Sequence, residues 1–246
     1  TVDLTGTRYN GLRLPGSTIT QNYASSPSSA ALNITGDFEF VARINLSALV
    51  AGEGLIAKTA AYRVIMSSAS ALQFRLGVWN GSSWSEWNSN TAAYTPGTTV
   101  WVKLTRAQSS GLTSFYWAAD TGSEPSSWTS LGSGTILAGT AIPTSGAILE
   151  IGSRDTGSGV LSGTYLRSII RNGIGGSTVF DADFTQKPVG ANTFVESSGN
   201  GATVTINGDL AKAGDGRVML VSSTPGTAAT LSKASGVVNG DYLAVR

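Results

Sequence analysis

The stretch FEFVARINL, Phe38–Leu46, places Phe38, Phe40, Ala42, Ile44 and Leu46 on one side of an extended segment and Glu39, Arg43 and Asn45 on the other. Successive side chains of a strand point to opposite faces, so this spacing predicts a strand with one face on a core. The same period of two recurs in Leu72, Phe74, Leu76 and Val78, in Val100, Val102 and Leu104, and in Phe180, Ala182 and Phe184. Helices have almost nowhere to sit. The longest stretches free of Gly, Pro, Ser, Thr, Asn and Asp are residues 38–44 and 60–66, short of the ~11–12 residues of an average helix. Six Asn-Gly dipeptides, beginning at Asn10, Asn80, Asn172, Asn200, Asn207 and Asn239, supply the positive φ that tight hairpins demand. Together these features predict an all-β fold: two antiparallel sheets packed face to face over residues 1–212.

Composition narrows the function. Only 13% of the 246 residues are charged, against 41% apolar, so an ordered core is available beneath a weakly charged surface. Lysines and arginines number 16 and acids 15, for a net charge of +1. They are spread singly, which argues against a nucleic-acid groove or an anionic-membrane patch. The absence of both His and Cys removes disulfides, thiolate and imidazole metal sites, and every triad that uses imidazole as base. The longest uncharged run, residues 125–149, is broken by Pro, Gly and hydroxyls, so no membrane insertion is expected.

Residues 213–246 read differently from the sandwich. The stretch KAGDGR (212–217) resembles a linker, and two strand-forming runs, 217–222 and 242–246, flank a loop of small residues. Such a tail pairs with another chain, begins a further module, or adds a hairpin to the same sandwich.

The sequence LRLPGSTITQNYASSPSSAALNITGD (12–37), then GLIAK (54–58), VWVKLTR (100–106), ILEIGS (148–153) and LSGTYLRSIIRNG (161–173), follow in the order of motifs in laminin-G-like, concanavalin A-like domains, which the chain resembles. The resemblance implies a jelly-roll sandwich. The stretches RNGIGGSTVFDADFT (171–185) and FVESSGNGATVTINGDL (194–210) are similar to a subgroup found in virion proteins of actinobacterial phages, of the minor tail or minor structural type. That likeness implies a virion component, either a tail or fibre protein or a capsid decoration. It would bind other virion proteins, form a homo-oligomer and attach to a host-surface glycan. The alternative is a carbohydrate-binding module of a secreted, extracellular protein.

Catalysis finds no support in the acids. Laminarinase-like glycosidases share the sandwich and carry an E-x-D-x-x-E strand motif, because alternate residues of one strand reach the same cleft. Here Glu39, Glu53, Glu86, Glu124, Glu150 and Glu196 are isolated, so the chain is expected not to be an enzyme. Calcium is the one candidate cofactor. Asp181 and Asp183 are two apart on an expected strand and could offer oxygens to it, or form a solvated face. Asp37 and Asp155 join them as rim candidates because laminin-G-like domains often hold calcium there. The Gly-rich NGIGGST (172–178) lacks a P-loop lysine and leads into a strand, so it reads as a turn.

Trp79, Trp84, Trp87 and Tyr94 are the candidate ligand-binding residues. They surround the Asn80-Gly81 turn, and Trp79 is out of phase with the apolar run, so it should point away from the core. Aromatic rings among polar residues suit sugar or protein contact; the competing reading has Trp84 and Trp87 folding back over the sandwich edge. Trp101, Phe115, Trp117 and Trp128 are expected in packing roles, and Arg63, Arg75 and Lys103 on outward faces.

Overall fold

The computed structural model describes residues 11–16, 22–187 and 191–208, so the expected linker and tail at 213–246 lie outside the described residues. In chain order the strands are β1 (Leu12–Pro15), β2 (Ala24–Ser26), β3 (Phe38–Leu46), β4 (Gly54–Lys58), β5 (Tyr62–Met66), β6 (Phe74–Trp79), β7 (Trp84–Asn88) and β8 (Thr99–Arg106). They continue as β9 (Leu112–Ala119), β10 (Thr129–Thr135), β11 (Leu149–Ile151), β12 (Ser162–Asn172), β13 (Ser177–Asp183), β14 (Thr193–Val195) and β15 (Thr203–Ile206). A 3-10 turn at Ala30–Leu32 is the single helical element among the described residues. No helix there is long and apolar enough to cross a membrane.

Two antiparallel sheets result, as the alternation requires. The seven-stranded sheet runs β1-β12-β3-β8-β9-β10, with β13 also paired to β12. Strands β1 and β13 share one edge of β12, the first taking residues 162–165 and the second 167–172. The eight-stranded sheet runs β14-β15-β2-β11-β4-β5-β6-β7. The inward set of β3 is at most 1% exposed and joins the inward residues of β6, β8 and β13 in one core. Burying such side chains contributes roughly 1.5–3 kcal/mol each. The 172–178 stretch is a turn between β12 and β13, as expected.

The outward faces of the two sheets are dressed differently, and this difference places the site. On the seven-stranded sheet Val41, Trp101 and Ile169 form a second buried cluster, capped by Trp128. Trp101 is therefore buried on the outside of the sandwich. The chain itself provides the cover. Residues 120–128 lie across this face, where Arg43 donates from Nε and Nη2 to the two oxygens of Asp120 at 2.9 and 2.6 Å, and Trp101 Nε1 donates to the same carboxylate at 3.0 Å. Arg171 grips Glu124 from Nη1 and Nη2 at 2.9 and 2.6 Å, and Lys103 Nζ sits 4.5 Å above the Trp128 ring. On the eight-stranded sheet, by contrast, Glu86 and Asn88 of β7 remain exposed.

Candidate functional site

The β6–β7 hairpin is built by its own turn. Asn80 Oδ1 accepts from the backbone N–H groups of Ser82 and Ser83 at 3.0 and 2.8 Å, and Gly81 takes φ +100°. An Asn side chain that mimics a backbone turn in this way fixes the register of the flanking strands. Trp79 therefore stands directly opposite Trp84, ring centroids 5.4 Å apart and planes at 69°. That edge-to-face arrangement is the one aromatic quadrupoles favour.

Gly77 makes room beneath this pair. A Cβ at Gly77 would lie 3.1 Å from Arg63 Cγ and 3.2 Å from Trp84 Cε3. With no side chain there, Arg63 reaches across and brings its Cζ to 4.3 Å from the Trp84 centroid. Glu86 receives two guanidinium groups, Arg63 Nη2 at 2.7 Å and Arg75 Nη1 at 3.1 Å, while Arg75 Nε donates to Asn88 Oδ1 at 2.7 Å. A shallow depression of about 510 Å³ is lined by Arg75, Glu86, Trp87 and Asn88.

Arg63, Gly77 and Glu86 belong to one row across the sheet. Register places Thr205, Ser25, Glu150, Ala57, Arg63, Gly77 and Glu86 side by side on β15, β2, β11, β4, β5, β6 and β7. Glu150 is 2% exposed because the loop at 153–158 folds over it. Its carboxylate accepts from Thr156 N at 2.7 Å, Gly157 N at 2.9 Å and Ser153 Oγ at 2.7 Å. Arg154 and Ser158 close the loop with reciprocal backbone bonds of 2.9 and 2.8 Å. At the tip, Asp155 and Thr156 adopt left-handed φ of +50° and +62°. Asp155 Oδ2 lies 3.5 Å from Arg154 Nη1 and 3.9 Å from Arg63 Nη1.

Of the four aromatic candidates, the structure brings Trp79 and Trp84 together on the outer face and separates the other two from them. Trp87 faces inward and stacks on Phe115, centroids 5.6 Å apart. Tyr94 is half-buried, and its hydroxyl accepts from Leu46 N at 2.8 Å and donates to Thr98 O at 2.6 Å, which ties the 94–98 loop to β3. The folding-back expected of both Trp84 and Trp87 occurs for Trp87 alone.

The four aspartates are not brought together. Asp37 accepts from Gln108 N at 2.8 Å, and Asp181 is gripped by Arg167 from Nε and Nη2 at 2.8 and 2.6 Å. Asp183 Oδ1 caps its own turn through Thr185 N and Oγ1, at 2.9 and 2.6 Å. Asp155 belongs to the strained loop. Among the described residues no group of three or more acidic side chains is placed to hold a metal ion.

Each glutamate is likewise engaged. Glu39 and Glu124 bind Arg171, Glu53 accepts from Ser162 N and Oγ, and Glu196 takes the backbone N–H groups of Asp181 and Ser198. With Glu86 and Glu150 placed as above, all six carboxylates hold strands or loops in position.

No protein-family profile matches the sequence, and no curated protein is detectably similar to it. Several solved structures are similar in fold. One is a Bacteroides ovatus ATCC 8483 protein provisionally described as carbohydrate binding, with a TM-score of 0.57 and 11% identity over 77% of this chain and 58% of that one. The chain thus spans less than two thirds of that protein. Another is a heptameric SAP-like pentraxin from Limulus polyphemus, with a TM-score of 0.48 and 17% identity over 79% of this chain and 93% of that one. A third is the CBM40 module of a Ruminococcus gnavus IT-sialidase bound to α2,3-sialyllactose, with a TM-score of 0.43 and 10% identity over 62% and 83%. At these identities the likeness is one of fold alone: an all-β, two-sheet antiparallel sandwich of the jelly-roll kind.

Proposed function

We propose that the chain is a non-catalytic glycan-binding sandwich whose ligand lies on the outer face of the eight-stranded sheet, at β5 to β7. The observation that carries this reading is the Trp79–Trp84 pair with Arg63 stacked on it, on the outward face that residues 120–128 do not cover. Indole rings give a sugar a broad apolar surface at little entropic cost, and the charged and amide groups beside them offer directional hydrogen bonds. The Bacteroides ovatus protein of the same fold, described as carbohydrate binding, is in keeping with it. Glu86, the glutamate on this face, has its carboxylate taken by Arg63 and Arg75, which supports binding without hydrolysis, since a retaining or inverting glycosidase needs one carboxyl to protonate the leaving group and a second to act as nucleophile or base.

The test is retention on a printed panel of oligosaccharides. The wild-type chain should be retained by at least one glycan, and Trp84→Ala should abolish that retention while the melting temperature changes by no more than about 3 °C, as for a side chain outside the core. Loss of the fold in Trp84→Ala, or equal retention of both chains, would reject the site.

A second reading concerns the particle that carries the domain. The likeness of residues 171–185 and 194–210 to actinobacterial phage virion proteins favours a minor tail, fibre or capsid-decoration role, with homo-oligomers, virion partners and a host-surface glycan as the ligand. Residues 213–246 would then serve as the assembly segment. Mass spectrometry of purified particles decides it: a virion component is present at fixed stoichiometry, and a secreted module is absent.

A further inference from the structure

We propose that the glycan held by this face is acidic, and that Arg75 receives its carboxylate or sulfate group. The inference rests on the glycan-binding reading above and names the class of ligand.

Charge points to it first. Glu86 gives one oxygen to each of two arginines, Oε1 to Arg63 Nη2 at 2.7 Å and Oε2 to Arg75 Nη1 at 3.1 Å. Two guanidinium groups thus share a single carboxylate, and the trio carries a positive charge in excess. Arg154 and Asp155 offset each other, with Nη1 3.5 Å from Oδ2. Glu150 adds no offset near Arg75. It is 2% exposed beneath its loop, and β11 lies three strands from β6. At ~4.8 Å per strand that is about 14 Å, beyond the ~8–10 Å over which exposed charges act at ordinary salt.

The second observation is the state of Arg75 itself. Its Nε donates to Asn88 Oδ1 at 2.7 Å and its Nη1 to Glu86, while Nη2 has no hydrogen-bond partner among the described residues. The side chain is 33% exposed, against 13% for Arg63. Arg75 is therefore the guanidinium of the trio that meets solvent with N–H groups unspent. Two bonds to β7 fix the plane of its fork, and a fixed planar fork is what an oxyanion with two or more oxygens binds best. Hydroxyls could accept from the same donors, but charge-assisted bonds are roughly twice as strong as neutral ones.

The third is position. Register sets Trp79 opposite Trp84, Gly77 opposite Glu86 and Arg75 opposite Asn88. These are alternate residues, so Arg75 shares the outer face with the indole pair. It stands four residues from Trp79 along β6, about 13 Å at ~3.3 Å per residue. The depression of about 510 Å³ opens at this point, lined by Arg75, Glu86, Trp87 and Asn88, and its size is within the ~300–1,000 Å³ of small-ligand sites. An oligosaccharide seated in it and reaching the indoles has Arg75 beside one of its later sugars.

The experiment measures retention on one printed surface of neutral gluco- and galacto-oligomers beside the same backbones carrying uronate or sulfate groups. Wild type should retain at least one acidic form about tenfold or more over its neutral match, the worth of one charge-assisted hydrogen bond. Arg75→Gln should bring that ratio down to about twofold or less, with the melting temperature within about 3 °C of wild type. The uronate and sulfate arms tell which anion Arg75 takes. Salt tests the same point without a variant: raising NaCl from about 0.1 to 1 M shortens the screening length from about 10 to 3 Å and should erase the acidic preference of wild type. Equal retention of matched acidic and neutral forms, or a preference that survives high salt or survives in folded Arg75→Gln, overturns the role of Arg75 and leaves the Trp84 site standing. If wild type retains no glycan, the binding reading itself fails and takes this inference with it. An acidic preference that appears only with added calcium would assign the anion to a bound metal and overturn the proposal.

Discussion

The indole of Trp87 occupies the space that a side chain at Gly134 would need. A Cβ on Gly134 would stand 2.2 Å from Trp87 Nε1 and 2.3 Å from Cε2. Trp87 belongs to the edge strand of one sheet and Gly134 to the edge strand of the other, so this contact closes one side of the sandwich. Asn90 N donates to Leu131 O across the same seam at 2.7 Å.

Gly134→Ala should therefore force Trp87 aside and destabilise the fold by about 1–3 kcal/mol, the usual cost of overpacking. Denaturant melts check this. Trp87→Ala should cost more, about 3 kcal/mol, because it empties a packed site, whereas Trp84→Ala on the outer face should cost less than about 1 kcal/mol. Equal losses at positions 84 and 87 would mean that the two rings are not on opposite faces.

Tyr62 is fully buried and its hydroxyl has no hydrogen-bond partner among the described residues. Such a group has given up its water without compensation. Tyr62→Phe should leave stability unchanged or raise it by up to about 1 kcal/mol, visible as a higher melting temperature.

Alkaline pH acts on the same residue. Burial raises the pKa of Tyr62 above the ordinary tyrosine value of 10.0, and burial raises Tyr165 in the same way. A folded pKa above the unfolded one gives stability that is fully present below about pH 10 and is lost as the pH rises past it. Lys58 works in the opposite sense. Burial lowers its pKa from 10.5, although its Nζ donates to Ser28 Oγ and to the carbonyls of Ser145 and Ala147. Its contribution grows as the pH approaches the unfolded value. With the two tyrosines outweighing one lysine, the urea midpoint should fall above about pH 10, and Tyr62→Phe should reduce that fall.

The strap at 120–128 gives an acid-side prediction. Burial alone would raise the Asp120 carboxyl, but the Arg43 hydrogen bond, the Gly122 N–H and Trp101 outweigh it and hold the pKa below 3.8. A depressed carboxylate pKa gives stability present above the unfolded value and lost as the pH falls through the folded one. Wild type should lose strap protection, read by hydrogen exchange at residues 120–128 and by Trp128 fluorescence, below about pH 4. Asp120→Asn should show the loosened strap already at neutral pH, with the sandwich intact.

The sheets were legible in the sequence because burial on one face imposes a period of two, and Phe38–Leu46 shows it openly. The orientation of Trp79 followed from the same phase. Trp84 and Trp87 are three apart on one strand and must face opposite ways, yet as four aromatics in a short span they read as one cluster with Tyr94. The pairing of Trp79 with Trp84 depends on the length of the Asn80 turn, which the dipeptide alone does not specify. Asp155 was visible as an acid in a loop. Its place next to Arg63 was not, because left-handed backbone at Asp155 and Thr156 leaves no glycine as a marker and the Glu150 anchor acts between β11 and a loop. The burial of Trp101 on the outer face depends on residues 120–128 returning over the sheet, a tertiary event that alternation in β8 cannot register.

The most direct test of the ligand face uses the indole N–H signals of the six tryptophans, recorded by 15N-edited nuclear magnetic resonance while the best-retained oligosaccharide is titrated in. The account predicts that Trp79 and Trp84 shift with saturable, concentration-dependent changes while Trp101 and Trp128, beneath and within the strap, stay in place. Shifts confined to Trp101 and Trp128 would contradict it and move the ligand to the seven-stranded sheet.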